Sequence, residues 1–184
     1  MTGTPARYTV VPLIGPDGAG KTTLHQALGG HVQRREGLPG PPLRAVQVSG
    51  ATATVLDART ERGFLQVVDF PSAEVEEALL GGTPVQGAVL VVSAADSVLP
   101  GTLRSLTHAR ELGIRQIAVA LTKCDVVEDP EMRDLVTMEV RELLNKHECD
   151  GDNAPVVCVG SVPGHHRWAA GVGELFDAVQ RWVP

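Results

Sequence analysis

The stretch GPDGAGKT at residues 15–22 decides the fold of this chain. An apolar run at residues 8–14 precedes it and predicts a β-strand, and residues 20–30 have the pattern of a helix. Strand, glycine-rich loop and helix in this order fit the motif G-x-x-x-x-G-K-[ST], whose backbone N–H groups surround a phosphate. The sequence therefore predicts a phosphate-binding loop at the start of the first helix.

Each residue type in this loop has a chemical reason. Glycines let the backbone bend until successive N–H groups point at one anion, and the helix that follows presents its positive dipole end to the same anion. Lys21 is expected to reach the β- and γ-phosphates, and the Thr22 hydroxyl is expected to hold Mg²⁺. The alternative is a glycine-rich turn that fits the motif by chance, but the preceding strand favours phosphate binding.

Beyond this loop, predicted strands and helices alternate along the chain. Residues 33–42 are expected to form a loop, and the polar residues 57–63 are short enough to turn an antiparallel hairpin. Further strands are expected at 46–56, 64–68, 88–92, 117–121 and 156–159, and further helices at 73–80, 100–112, 130–147 and 172–183. The alternation predicts one α/β domain with a mostly parallel, six-stranded sheet and helices on both faces.

Composition limits the classes of function. Of the 184 residues, 43% are hydrophobic and 21% are charged, which is typical of one globular domain. The net charge is −6 and the basic residues are scattered, so we expect no direct nucleic-acid binding. No apolar run reaches the roughly 18 residues that a membrane span needs, so we expect a cytoplasmic location.

Three groups of side chains have ordinary structural interpretations. The odd number of cysteines predicts reduced thiols, with Cys149 and Cys158 as small buried residues. All six histidines are expected on the surface, with none placed for catalysis. The helix at 130–147 is expected to bury an apolar stripe in the core, formed by Met132, Leu135, Val136, Met138, Val140, Leu143 and Leu144.

In a sheet of this kind, ligand-binding groups come from loops at the carboxyl ends of strands. Asp69 directly follows the predicted strand at 64–68. Its carboxylate can hold Mg²⁺ directly or through water, although an aspartate is also common in ordinary turns. The phosphate-binding motif upstream favours the first interpretation.

Residues 122–125 read TKCD and follow the predicted strand at 117–121. Guanine has two donors on one edge, and the Asp125 carboxylate can accept from both, whereas adenine has no such pair. The Lys123 stem can lie along the base, and Thr122 can tie this loop to the phosphate loop. After the last strand, backbone N–H groups of Ser161 and Val162 can meet the guanine O6. The combination predicts a guanine nucleotide.

These residues resemble the GTP-binding domain of bacterial elongation factor Tu, and translational GTPases more generally. The similarity is densest from residue 86 onward, in QGAVLVVSAADSVLPG and in GDNAPVVCVGS, and it extends to residues 12–24. The resemblance implies a three-layer P-loop GTPase fold in a single domain over residues 1–184, with GTP, GDP and Mg²⁺ as ligands.

The same resemblance implies a set of site residues. Lys21 and Asp69 are the expected catalytic residues, and Thr22 and Asp69 are the expected Mg²⁺ ligands. Guanine contacts are expected from Thr122, Lys123, Asp125, Ser161 and Val162. Phosphate contacts are expected from residues 15–23, and these include Asp17, Gly18, Ala19, Gly20, Lys21, Thr22 and Thr23.

The second switch departs from the family pattern. The family reads DCPGH there, whereas this chain runs from DFP at 69–71 straight into SAE at 72–74. The simplest alignment deletes the glycine whose N–H contacts the γ-phosphate and the histidine that positions the attacking water. The sequence therefore predicts a loss of both functions.

Two further departures also concern the terminal phosphate. The family reads RGITI at the first switch, whereas RAVQV at 44–48 places Gln47 where the Mg²⁺-binding threonine belongs. Thr52 and Thr54 lie nearby, but they fit an alternating strand better. Asp17 brings a carboxylate close to phosphate oxygens, where like charges disfavour binding unless Mg²⁺ or Lys21 compensates.

Three functions are open at this point. The first is a GTP- and GDP-binding protein whose hydrolysis is slow or depends on a protein activator. The second is a non-enzymatic interaction module or decoy of elongation factor Tu. The third is a nucleotide kinase, since GPDGAGKTT also resembles thymidylate kinases, but an arginine-rich lid is missing and TKCD would have no role. Without the two β-barrel domains of the family, tRNA delivery is not expected.

Overall fold

A computed structural model describes residues 8–48, 50–72, 75–76, 85–127, 129–160 and 166–184, with only the backbone described at residue 48 and residues 166–170. Within these ranges a single sheet is formed by β1 (Tyr8–Ile14), β2 (Leu43–Val48), β3 (Ala51–Thr60), β4 (Gly63–Asp69), β5 (Ala88–Ser93), β6 (Ile117–Thr122) and β7 (Val156–Cys158). The strand order is β2-β3-β4-β1-β5-β6-β7. Strands β4, β1, β5, β6 and β7 are parallel, and β2 and β3 are antiparallel to their neighbours.

Helices cover both faces of the sheet. They are α1 (Lys21–Glu36), α2 (Pro100–Glu111), α3 (Pro130–Lys146) and α4 (His166–Trp182). Every residue of β5 and β6 is buried, as expected for strands covered on both sides. Alternate residues of β5 enter opposite cores: Val89 and Val91 pack in the core with α1 and α4, and Leu90 and Val92 pack in the core with α2 and α3. The predicted three-layer α/β fold is confirmed.

The sheet has seven strands rather than the predicted six. The stretch expected as one strand at 46–56 is a hairpin, in which Val48 lies opposite Ala51 and Gly50 has a positive φ of 84°. The alternating pattern continues through both strands, so the break at the glycine was the only local signal. The predicted β3–β4 hairpin is confirmed, but its turn is only two residues long, because Thr60 already pairs with Gly63.

Two helices begin or end differently from the prediction. Helix α1 continues to Glu36, so the loop predicted at 33–42 was placed too early in the chain. Gly37 ends the helix with a φ of 66°, and its N–H donates to the Gln33 carbonyl. Helix α4 begins at His166 rather than at residue 172. Most of the helix predicted at 73–80 lies outside the described residues.

Two expectations about burial are wrong. On α3, Val136, Val140 and Leu144 are buried as predicted, but a second set of side chains is at least half exposed: Met132, Leu135 and Met138. The core covers only the side of α3 that faces the sheet, so the apolar residues on its outer side stay in contact with water. Cys149 is buried as expected, whereas Cys158 is exposed.

Candidate functional site

A cleft runs along the carboxyl ends of the parallel strands and contains two adjoining cavities. The loop cavity, of about 400 Å³, is lined by Pro16, Asp17, Gly18, Gly20, Lys21, Thr22, Thr23, Phe70 and Pro71. The Thr122 cavity, of about 180 Å³, is lined by Gly18, Gly20, Thr23, Leu24, Thr122, Lys123, Val159 and Gly160. Because Gly18, Gly20 and Thr23 line both, the two cavities are parts of one site.

The glycines of the 15–22 loop are required by its geometry. Gly15, Gly18 and Gly20 have φ values of 137°, 79° and 96°, which favour glycine. A Cβ atom at Gly15 would lie 2.5 Å from the Val91 carbonyl oxygen of β5. Helix α1 starts at Lys21 with neither a capping side chain nor an acidic residue in its first turn. Its first N–H groups are therefore available to an anion in the loop cavity.

Lys21 is held by its own loop. Its side chain is 7% exposed, and its ammonium donates to the Gly15 carbonyl and, at 3.1 Å, to the Pro16 carbonyl. The ammonium also lies 3.7 Å from Asp17 Oδ1, and the Asp17 side chain is 68% exposed. Within the described residues the hydrogen bonds and the ion pair of the Lys21 ammonium are all made to its own loop, and the ion pair is with a carboxylate at the cavity wall.

Asp69 and Thr22 are adjacent at the end of β4. The Thr22 hydroxyl donates to the Asp69 carboxylate, which is only 6% exposed. Burial raises the pKa of Asp69, while the Thr22 hydrogen bond and the charges of His25 and Lys21 act in the opposite direction. Asp69 Oδ1 has no hydrogen-bond partner among the described residues. A buried carboxylate oxygen without a partner beside a hydroxyl is a donor set that suits a hard divalent cation.

His25 is a residue that sequence reasoning placed wrongly. It was expected on the surface, but it is 1% exposed and its Nε2 lies 3.0 Å from the Val67 carbonyl oxygen. A carbonyl oxygen only accepts, so Nε2 carries the proton. Burial, more than any other cause, lowers the pKa of His25. The available signal was its position four residues after Lys21, on the same side of α1.

The loop after β6 is fixed to the 15–22 loop. The Thr122 hydroxyl donates to the Ala19 carbonyl at 2.6 Å, so the expected tie between the loops is present. Lys123 has a φ of 58°, and its ammonium lies 2.9 Å from Asp96 Oδ2. The Cys124 N–H donates to the Val159 carbonyl at 3.2 Å, which joins this loop to the chain after β7.

Residues 43–184 match the family model of the elongation factor Tu GTP binding domain, which is more than three quarters of the chain. The chain belongs to this family. The TKCD loop and Asp69 lie within the matched span, and the phosphate loop at 15–22 precedes it, so the assignment of that loop rests on its motif and its geometry. Membership of the elongation factor Tu GTP-binding domain family indicates guanine-nucleotide binding.

The first-switch segment of this elongation factor Tu family member is part of the sheet. Gln47 lies on the edge strand β2, where its amide donates to the Thr52 hydroxyl at 2.7 Å, and both side chains are exposed. Thr54 lies on a strand, β3, as the alternating pattern predicted, and the structure pairs it with Asp69 of β4. Gln47 is not among the described residues that line either cavity.

Two residues at the start of the stretch that aligns with the second switch form an apolar wall of the loop cavity. Phe70 is 7% exposed, and Phe70 and Pro71 line the loop cavity beside Thr22. The described residues that line this cavity include no histidine.

The predicted contacts of Ser161 and Val162 lie outside the described residues. No helix in the described part of the chain is long and apolar enough to span a membrane.

Proposed function

We propose that this protein binds GTP and GDP with Mg²⁺ in the cleft, and that it hydrolyses GTP slowly or only with the help of a protein partner. One observation carries the proposal: the 2.6 Å bond from Thr122 to the Ala19 carbonyl. It fixes the candidate guanine loop against the candidate phosphate loop. A base and a phosphate chain of one nucleotide then fit the Thr122 cavity and the loop cavity at once.

The roles follow from chemistry and from the order of the two cavities. The N–H groups at the start of α1 and the Lys21 ammonium bind phosphate oxygens. The Asp125 carboxylate accepts from the two donors of guanine, and Lys123 flanks the base. The N–H groups of Ser161 and Val162 are proposed to contact O6. Delivery of tRNA is not part of the proposal, because a net charge of −6 gives nucleic acid no electrostatic attraction.

Thr22 and Asp69 would hold Mg²⁺. The unpartnered Asp69 Oδ1 supports this assignment, because a buried carboxylate oxygen needs a donor or a cation. Among the described residues no group of three or more His, Cys, Asp or Glu side chains forms a metal cage. Mg²⁺ that bridges one or two protein ligands and the phosphates needs no such cage. Bound there, it would neutralise phosphate charge.

Slow hydrolysis is proposed because the wall at Phe70 and Pro71 offers no group that positions a water molecule. A group supplied by a partner accelerates related GTPases by about 10³ to 10⁵. We propose that a partner protein supplies such a group to this protein.

Calorimetry with GDP and with a non-hydrolysable GTP analogue, each with and without Mg²⁺, tests the binding. We expect micromolar or tighter affinity for GDP, at about 8 kcal/mol of binding free energy. We expect the analogue to bind no more tightly than GDP. Failure of both nucleotides to bind would favour the second candidate, a non-enzymatic interaction module, which is also consistent with a Lys21 that is already occupied by its own loop.

Single-turnover hydrolysis of radiolabelled GTP tests the rate, with Lys21→Ala and Asp69→Ala as inactive controls. We expect a rate constant below about 10⁻⁴ s⁻¹ without a partner, because a related GTPase with complete switches reaches about 3 × 10⁻⁴ s⁻¹ unassisted. A rate at or above that of such a complete GTPase would contradict the proposed loss of the switches.

A further inference from the structure

We propose that Asp17 is a specificity-determining residue that disfavours the terminal phosphate, so that the site prefers a nucleoside diphosphate to a triphosphate. This inference rests on the proposed function, because it assigns a selectivity to the same cleft. It concerns the choice between two nucleotides, whereas the proposed function concerns whether any nucleotide binds.

The order of the two cavities places Asp17 at the far end of the phosphate chain. The Thr122 cavity, which would hold the base, is lined by Gly18 and Gly20 but not by Asp17 or Lys21. The loop cavity is lined by all four. The phosphates of a nucleotide extend away from its base. The last phosphate therefore lies at the end of the cleft that Asp17 and Lys21 share.

Asp17 competes with that phosphate for Lys21. Its Oδ1 lies 3.7 Å from the Lys21 ammonium, the group expected to contact the β- and γ-phosphates. A terminal phosphate must displace this carboxylate or accept it as a neighbour of like charge. A diphosphate ends one phosphate earlier and meets less of this repulsion.

The Asp17 side chain is placed to exert this effect without a structural role. It is 68% exposed, and among the described residues it pairs with Lys21. Replacement by asparagine keeps the shape and removes the charge. Lys21 keeps its two carbonyl acceptors, Gly15 and Pro16, so the loop is expected to fold normally.

The experiment compares Asp17→Asn with the parent protein by calorimetry in Mg²⁺ buffer. The expected result is about tenfold tighter binding of a non-hydrolysable GTP analogue, with less than about threefold change for GDP, because exposure to solvent screens part of the repulsion. The gain should shrink as salt is added. The matched control is Glu61→Gln, which removes one charge from the exposed β3–β4 turn at the amino end of β4, away from the cleft at the carboxyl ends, and should change neither affinity.

Equal changes for the two nucleotides, or a larger gain for GDP, would overturn the inference. If the parent protein binds no GDP, the proposed function fails, and the inference is then decided with inorganic pyrophosphate and tripolyphosphate, which need no base. Asp17→Asn should tighten the binding of tripolyphosphate more than that of pyrophosphate. Absence of that difference, including absence of any binding, would overturn it.

Discussion

The two cavities of the cleft differ in how completely their walls are built. The Thr122 cavity is bounded by groups fixed to one another, through the bonds of Thr122 to Ala19 and of Cys124 to Val159. The loop cavity has a well-formed floor in the 15–22 loop, but its outer wall is Phe70 and Pro71. Under the proposed function, holding a nucleotide and sensing its last phosphate would depend on separate parts of the fold.

The physical reason lies in what each task needs. Binding uses N–H groups, an ammonium and a carboxylate held in fixed positions by strands and by a helix start. Sensing the γ-phosphate uses N–H groups and side chains on segments that change position when that phosphate is present. In this protein the stretch that the sequence aligns with the first switch is paired in the sheet as β2, and Pro71 is followed directly by Ser72 where the family pattern has glycine.

The largest expected effect tests whether the loop cavity binds phosphate at all. Lys21→Ala should weaken GDP binding by about 100-fold, or about 2.7 kcal/mol, because it removes the buried charge that we propose donates to phosphate oxygens. Calorimetry measures the change, and Lys146→Ala on the exposed side of α3 is the control. Unchanged GDP affinity in Lys21→Ala would mean that the loop does not hold the phosphates.

The next effect tests the tie between the two cavities. Thr122→Val keeps the volume but leaves the Ala19 carbonyl without its donor, and Ala19 is 3% exposed. The free energy of unfolding should fall by about 1–3 kcal/mol, since a buried acceptor is left unsatisfied. Urea denaturation measures it, with Thr52→Val on the exposed face of β3 as the control, for which we expect a change within about 0.5 kcal/mol. Equal losses of unfolding free energy in the two variants would show that the hydrogen bond from Thr122 to Ala19 stabilises the fold no more than an exposed side chain does.

A smaller effect distinguishes the two Asp–Lys pairs of the cleft. Asp96→Asn breaks the pair with Lys123 beside the Thr122 cavity, where both side chains are partly exposed. Exposed pairs contribute little, so GDP and a GTP analogue should both lose about threefold or less in affinity. Asp17→Asn should instead separate the two nucleotides. A change of nucleotide preference in Asp96→Asn would contradict this division of roles.

The smallest effect concerns the pH dependence of stability outside the cleft. His31 packs against Phe176 with ring centroids 5.4 Å apart. Burial lowers the pKa of His31 below 6.5, and the positive charges of Arg34 and Arg35 lower it further. The unfolded chain therefore binds the proton more readily, and the stability that His31 contributes is present above pH 6.5 and is lost as the pH falls through its folded pKa.

In urea titrations between pH 7.5 and pH 5, His31→Gln should lose less stability than the parent protein. The difference between the two proteins isolates His31 from the other titrating groups. An identical pH profile would show that the neighbours of His31 do not disfavour its protonation.

Some of these features could be read from short stretches of sequence. The strand–loop–helix at 8–36 follows from an apolar run, three glycines and a lysine, and TKCD follows a run of buried residues. The extra strand was missed because the alternating pattern does not change across Gly50. The outer side of α3 was misjudged because a pattern shows which residues are apolar but not how wide a stripe its neighbours cover.

By itself the sequence determined the α/β fold, and it predicted the positions of the phosphate and guanine loops and the loss of the second-switch residues. These depend on local backbone geometry and on residue chemistry at fixed spacings. Only the tertiary structure decided that Thr122 contacts Ala19, that His25 is buried and that Asp69 keeps an unpartnered oxygen. Those facts depend on which strand ends lie side by side. Residues far apart in the chain meet there, and burial then sets which charges and hydrogen bonds remain open to a ligand.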